Sequence, residues 1–135
     1  AFYLLPKIRE TETLLRSFDS YSLDWLETHP ELCFSGLNGG VPMEDNKKTD
    51  AGYRERRRIL AFHISAPTTD RLVQNLMTAV PRAQCARDDM MDALVCGVVA
   101  SLDATHRDCL PLGKQEFDEV GLPMRICYPL PDAFE

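Results

Sequence analysis

The chain has 135 residues, 44% of them hydrophobic and 27% charged, with 15 Lys and Arg against 21 Asp and Glu for a formal net charge of −6. These values suit one globular domain over residues 1–135 and exclude a disordered chain, and with no apolar stretch of bilayer-spanning length no membrane partner is expected. The acid excess also argues against a basic nucleic-acid footprint over the whole surface, although an acidic site whose bound cations offset it locally is compatible with that balance.

The chain begins at Ala1 with neither an initiator Met nor a basic leader, and so reads as starting inside a longer protein. Its five cysteines, Cys33, Cys85, Cys96, Cys109 and Cys127, are odd in number and form no CxxC pair. They are expected to be reduced, mostly buried thiols of a cytoplasmic protein, not a disulfide frame or a zinc site.

In chain order, Lys7 to Phe18 reads as a short helix with Ile8, Leu14, Leu15 and Phe18 near one face, followed by a turn at Ser20-Tyr21-Ser22. Leu23 to His29 is a brief strand candidate that needs a neighbour to satisfy its backbone, and none is evident nearby. Pro30 suits the first position of a helix through Leu32, Phe34 and Leu37 that stops at Asn38-Gly39-Gly40. After a polar loop over Val41 to Lys48, Thr49 caps a helix reaching about Ile64. Thr68 or Thr69 is expected to cap the next, whose stripe of Leu72, Val73, Leu76, Met77 and Val80 ends at Pro81.

A last helix is expected from Asp88 to about Thr105, with Met91, Leu94, Val95, Val98 and Leu102 inward and Ala93, Cys96, Gly97 and Ala100 leaving room for close packing. Beyond it, Asp118 to Pro123 is a turn into an alternating Met124 to Tyr128 segment, a small hairpin. The count is helix-rich with few strands, an α/β chain whose exposed strand edges invite pairing with a second copy.

Two acidic signatures carry the chemistry: Glu27-Thr28-His29-Pro30-Glu31, and Asp88-Asp89-Met90-Met91-Asp92-Ala93-Leu94. On a helix Asp92 shares a face with Asp88 and Asp89, and carboxylates so placed repel unless a cation joins them. Hard ions that take oxygen ligands, Mg²⁺ or Mn²⁺, suit such a set. Asp88 is equally accounted for as an N-cap and Asp89 by the helix dipole, whereas Asp92 borders a buried stripe. Glu27 ends an apolar run, where α/β sheets present ligand-binding groups, yet a surface glutamate on a half-exposed strand would look the same. Glu31, after Pro30, is explained by the dipole of its helix.

His29 is either a proton shuttle near a cation or a hydrogen-bonded structural histidine. Of the basic run Lys47, Lys48, Arg54, Arg56, Arg57 and Arg58, most is solvated surface, with Lys48 and one or two arginines free to meet phosphate. No GxSxG, Walker loop or HExxH is present, which sets aside serine hydrolases, P-loop proteins and zincins.

Taken together and in order, Pro6-Lys7-Ile8-Arg9-Glu10, Glu27-Thr28-His29-Pro30-Glu31, Leu37-Asn38-Gly39-Gly40, Lys47-Lys48-Thr49, Asp89-Met90-Met91-Asp92-Ala93-Leu94 and Gly121-Leu122-Pro123-Met124-Arg125-Ile126 resemble a widespread prokaryotic family built on a domain of unknown function and expected to be RNase H-like nucleases. The Asp-x-x-Asp-Ala-Leu segment is also similar to the last catalytic helix of Holliday-junction resolvases. The resemblance implies an RNase H-like fold, of which this chain is the C-terminal portion, lacking the strands that carry a first-strand aspartate. It further implies that Glu27, Asp89 and Asp92 are catalytic metal ligands for two divalent ions; beside them, His29 and Lys48 are expected from their own chemistry to serve the substrate phosphate. The implied activity is metal-dependent cleavage of nucleic acid or another phosphoester, incomplete in this chain. A non-catalytic binding or scaffold protein of the same shape is the rival expectation.

Overall fold

A computed structural model describes residues 4–17, 25–81 and 83–131, in which five helices precede four short strands. The first helix, α1 (Leu4–Ser17), starts earlier than its apolar spacing suggests, with Pro6 tolerated in the first turn, where its missing N–H is no loss. Leu4, Leu5, Ile8 and Leu14 are exposed and no residue of α1 is buried. Phe18, the turn at 20–22 and Leu23 lie outside the described residues.

The rest of the strand candidate makes a single parallel bridge, Thr28 to Cys127. Cys127 N donates to the Glu27 carbonyl at 2.7 Å and Thr28 Oγ1 donates to the Cys127 carbonyl at 2.7 Å. The neighbour that the sequence did not reveal is therefore a strand a hundred residues downstream, β4 (Ile126–Pro129).

Helix α2 (Pro30–Leu37) begins with Pro30 and ends as Asn38-Gly39-Gly40 predicts. Gly39 adopts φ +69° while Gly40 N donates to the Ser35 carbonyl and Gly39 N to the Gly36 carbonyl, a Schellman closure. Thr49 caps α3 (Asp50–Ile64) as expected, its hydroxyl accepting from Gly52 N at 3.1 Å. The cap of α4 (Ala66–Ala79) is neither Thr68 nor Thr69 but Ser65, whose hydroxyl accepts from Thr68 N. Ser65 also ends α3, at φ +71°, so one residue turns the chain between two helices with no intervening loop.

Helix α5 (Arg87–Ala100) stops earlier than expected and gives way to a 3-10 turn at Ala104–His106. Its stripe is buried as predicted at Met91, Val95, Val98 and Leu102, with Leu94 half-buried. The expectation for the small residues fails: Ala93, Gly97 and Ala100 face outward, and an added Cβ on Gly97 would meet nothing within 4 Å. Close packing occurs instead at Gly36, where a Cβ would run into the Pro129 carbonyl, because β4 lies directly on α2.

Two antiparallel strand pairs complete the chain: β1 (Arg107–Leu110) with β4, and β2 (Glu116–Phe117) with β3 (Pro123–Met124). Asp118 closes the second pair, its Oδ1 accepting from Val120 N and Leu122 N. The register of the first sets Cys109 opposite Cys127, Cα to Cα 4.0 Å, and the two form a disulfide. The expectation of five free thiols is thus corrected, for a reason of strand register that spacing along the chain does not reveal. Cys33, Cys85 and Cys96 are free.

The core is built where α2, α3, α4 and α5 converge, from Phe34, Leu37, Ile59, Leu60, Val73, Met91, Val95 and Val99. The architecture is mixed α/β, rich in helix and poor in strand. Among the described residues no helix is long and apolar enough to cross a membrane.

Candidate functional site

A loop held on every side by the start of α3 places Lys47 against α5. Glu55 accepts from the backbone N–H of Glu44 at 2.9 Å and of Asp45 at 3.1 Å, and Arg56 donates to the Asp45 carbonyl. Thr49 Oγ1 donates to the Asn46 carbonyl and Asn46 Oδ1 accepts from Lys48 N. Gly52 lets the loop lie on the helix, since a Cβ there would strike the Asn46 carbonyl. Arg56, only 3% exposed, anchors the arrangement: it grips both oxygens of Glu31 at 2.8 Å and lies over the Phe34 ring.

Lys47 Nζ donates to Asp92 Oδ2 at 2.6 Å, with 34% and 18% of the two side chains exposed. The other oxygen of Asp92, Oδ1, is buried and has no hydrogen-bond partner, the one carboxylate oxygen in that state among the described residues. An orphaned buried acceptor is costly, by about 1–3 kcal/mol and more for a charged group, and a water, a donor or a cation would satisfy it. The bond to Asp92 pushes the Lys47 ammonium above its ordinary value, against partial burial, and the carboxylates of Asp88 and Glu31 push the same way. Three carboxylates from α2 and α5 thus act on one lysine.

In front of Lys47 opens a cleft of about 460 Å³ lined by Lys47, Lys48, Ala86, Arg87, Asp88 and Asp89. Its two sides are tied together by Arg87, which bonds Asp50 at 2.5 Å and lies over the Tyr53 ring. That bond holds the Asp50 carboxyl below its ordinary value. Asp92 is not part of the lining, so the Lys47 side chain both borders the cleft and covers Asp92.

Of the residues that the sequence singles out, Asp92 is at this junction and Lys48 on the cleft wall. The two neighbouring aspartates exchange their expected parts. Ala86 is the N-cap of α5, and Asp89 reaches back to accept from Ala86 N at 3.1 Å. Ala86 has no side-chain oxygen to return the bond, so only one arm of a capping box forms. Asp88, expected as a cap, instead faces the Lys47 charge.

Glu27 is exposed at the end of the segment bridged to β4, and His29 is exposed at the N-cap of α2 with no side-chain capping bond. Among the described residues no group of three or more His, Cys, Asp and Glu side chains is gathered closely enough to hold a metal ion, so Glu27, Asp89 and Asp92 do not meet as one. Two residues were missed: Glu31, explained away by the dipole of α2, and Lys47, read as part of a solvated basic run. The adjacency of a lysine pair to the cap Thr49 was the available signal, because a cap fixes the residues just before it.

Residues 1–116 match the model of a family described as "Protein of unknown function (DUF429)". The chain belongs to that family. No curated protein and no solved structure matches the chain. The span matched to DUF429 contains Lys47, Lys48, Asp88, Asp89 and Asp92, while β4 and its Cys127 lie beyond it.

Behind the site, Thr28 Oγ1 and Cys33 Sγ are 2.7 Å apart, and Cys96 follows Asp92 by one turn of α5. Burial, then the neighbouring Cys33 and Asp92, push the Cys96 thiol up to about 11. Burial likewise raises Cys33, against hydrogen bonds that include Thr28. These thiols stay protonated and are part of the packing between α2 and α5.

Proposed function

We propose that this DUF429 protein is a metal-dependent phosphodiesterase or nuclease of RNase H-like type, in which Asp92 is the central ligand of a Mg²⁺ or Mn²⁺ ion. The observation that carries this is the buried, unpartnered Oδ1 of Asp92, a carboxylate whose other oxygen is held by Lys47 of a cleft that Lys48, Arg87, Asp88 and Asp89 also line. The donors fit a hard divalent ion. Mg²⁺ commonly binds through one or two carboxylates, keeps several waters and takes its remaining oxygens from a substrate phosphate, so a closed cage of three protein ligands is not required.

Asp88 lies one turn from Asp92 and is the second carboxylate that the geometry favours; the family resemblance adds Glu27 and Asp89. The bound ion would polarise a phosphoryl oxygen as a Lewis acid. Lys48, on the cleft wall, offers a point charge to a phosphate oxygen, and Lys47 offers another once it leaves Asp92. Arg87 links the first turns of α3 and α5 through Asp50 and the Tyr53 ring and adds a third cation to the cleft wall. The phosphate-side part expected of His29 gains no support from its position at the α2 cap, outside the cleft lining.

The test is cleavage of single-stranded and duplex nucleic acids and of a chromogenic phosphodiester by the purified protein with Mn²⁺. Asp92→Asn, close in shape and lacking the charge, is expected to abolish turnover while the circular dichroism spectrum is kept. Equal turnover by the two proteins would remove the catalytic assignment. Asp92-dependent Mn²⁺ binding without turnover on any substrate would favour a binding protein of the same shape.

A further inference from the structure

Lys47 is more than a phosphate contact. Its ammonium sits 2.6 Å from Asp92 Oδ2, on one of the two oxygens that the reading above assigns to a divalent ion. Lysine is costly to hold in one rotamer, by about 1.5–2 kcal/mol of lost freedom. Yet the loop that carries it is fixed at Glu44, Asp45 and Asn46 by Glu55, Arg56 and Thr49, and Lys48 N donates to the Asn46 side chain. A backbone anchored on both sides of Lys47, joined to a side chain that borders an open cleft, permits one motion: the ammonium can swing from Asp92 into the cleft while the loop stays in place.

We infer that Lys47 is a tethered cation that occupies the Asp92 site in the resting protein and yields it to a divalent ion when a phosphate in the cleft draws the ammonium forward. The inference rests on the metal-dependent reading above and adds an order of events to it. With no phosphate in the cleft, an incoming ion meets a carboxylate already half neutralised, and binding is weak. With phosphate present, Lys47 gains an oxyanion partner alongside Lys48, Asp92 exposes both oxygens, and the ion and the phosphate favour each other's binding by linkage. The arrangement keeps the acidic site from trapping ions in the absence of substrate.

Calorimetric Mn²⁺ titration of the purified protein, of Lys47→Met and of Lys47→Met/Asp92→Asn separates the cases. Tighter binding by Lys47→Met, at least tenfold over the parent and lost in the double variant, is the expected result. If the parent binds Mn²⁺ through Asp92 and Lys47→Met binds equally or more weakly, the tethered-cation inference is overturned and the metal site stands. If no protein of the set binds Mn²⁺ in an Asp92-dependent way, the metal site itself falls, and the inference with it.

Should Lys47→Met fail to fold, the unmutated protein still decides. Its Lys47 ammonium resonance, assigned by its loss in Lys47→Arg, is expected to shift on adding Mg²⁺ and further on adding inorganic phosphate. A resonance that stays in place through both additions overturns the inference.

Discussion

The last carboxylate of each acidic signature meets a cation, and the two meet different fates. Both oxygens of Glu31 accept from Arg56 Nη2, and the same buried guanidinium is committed through Nη1 to the loop carbonyl of Asp45. Asp92 is held at one oxygen by a flexible lysine and left unsatisfied at the other. A carboxylate held at both oxygens by one nitrogen of a buried guanidinium, whose other arm bonds the Asp45 and Gly52 carbonyls, is part of the scaffold; one held by a single ammonium beside an open cleft is available for exchange.

That contrast can be broken from its structural side first. Arg56→Met removes the guanidinium, strands Glu31 and frees the Asp45 carbonyl. It is expected to cost about 3 kcal/mol in chemical denaturation, the low end for a broken buried pair because Glu31 stays partly hydrated. A loss below about 0.5 kcal/mol, the range of ordinary surface changes, would show that the loop does not depend on Arg56.

A smaller effect is expected from Gly52→Ala. The new methyl meets the Asn46 carbonyl, so the loop must move outward, at roughly 1–3 kcal/mol for overpacking. Because Lys47 follows Asn46, the shift also loosens its bond to Asp92, which the Lys47 ammonium resonance would report. Wild-type stability in this variant would mean that the loop is not seated on α3 as described.

The smallest effect concerns the packing behind the site. With the Cys96 thiol pushed up to about 11, alkylation by iodoacetamide at pH 8 is expected to be slow and to quicken as pH approaches that value. The sign for stability is fixed too: a thiol raised by burial favours the folded state while protonated. Its contribution is complete below the ordinary thiol value and declines at alkaline pH once the unfolded chain ionises first. Rapid labelling of Cys96 at pH 8 in the folded protein would contradict its placement between α2 and α5.

Where a signal is local, the sequence was legible. The Thr49 cap, the Pro30 start, the Asn38-Gly39-Gly40 stop and the α5 stripe all act within a few residues, and the structure follows them. The failures are long-range. The neighbour of Thr28 is Cys127, and the Cys109–Cys127 disulfide depends on a register set by two strands of four residues. For the site, Asp92 was legible because an acid bordering a buried stripe needs a reason. Lys47 was harder to read, because apart from its place just before the Thr49 cap nothing in a basic run says which member a loop will aim at an aspartate 45 residues away. The roles of Asp88 and Asp89 turned on where α5 starts: with Ala86 as N-cap, Asp89 is the residue three on that accepts from its backbone N–H, and Asp88 is left out of the cap.

The most direct measurement is Mn²⁺ affinity, by calorimetry or by paramagnetic broadening of α5 resonances, for the purified protein against Asp92→Asn. A loss of at least tenfold with the fold unchanged is the predicted outcome. Identical affinity in the two proteins would mean that the orphaned oxygen has no part in cation binding.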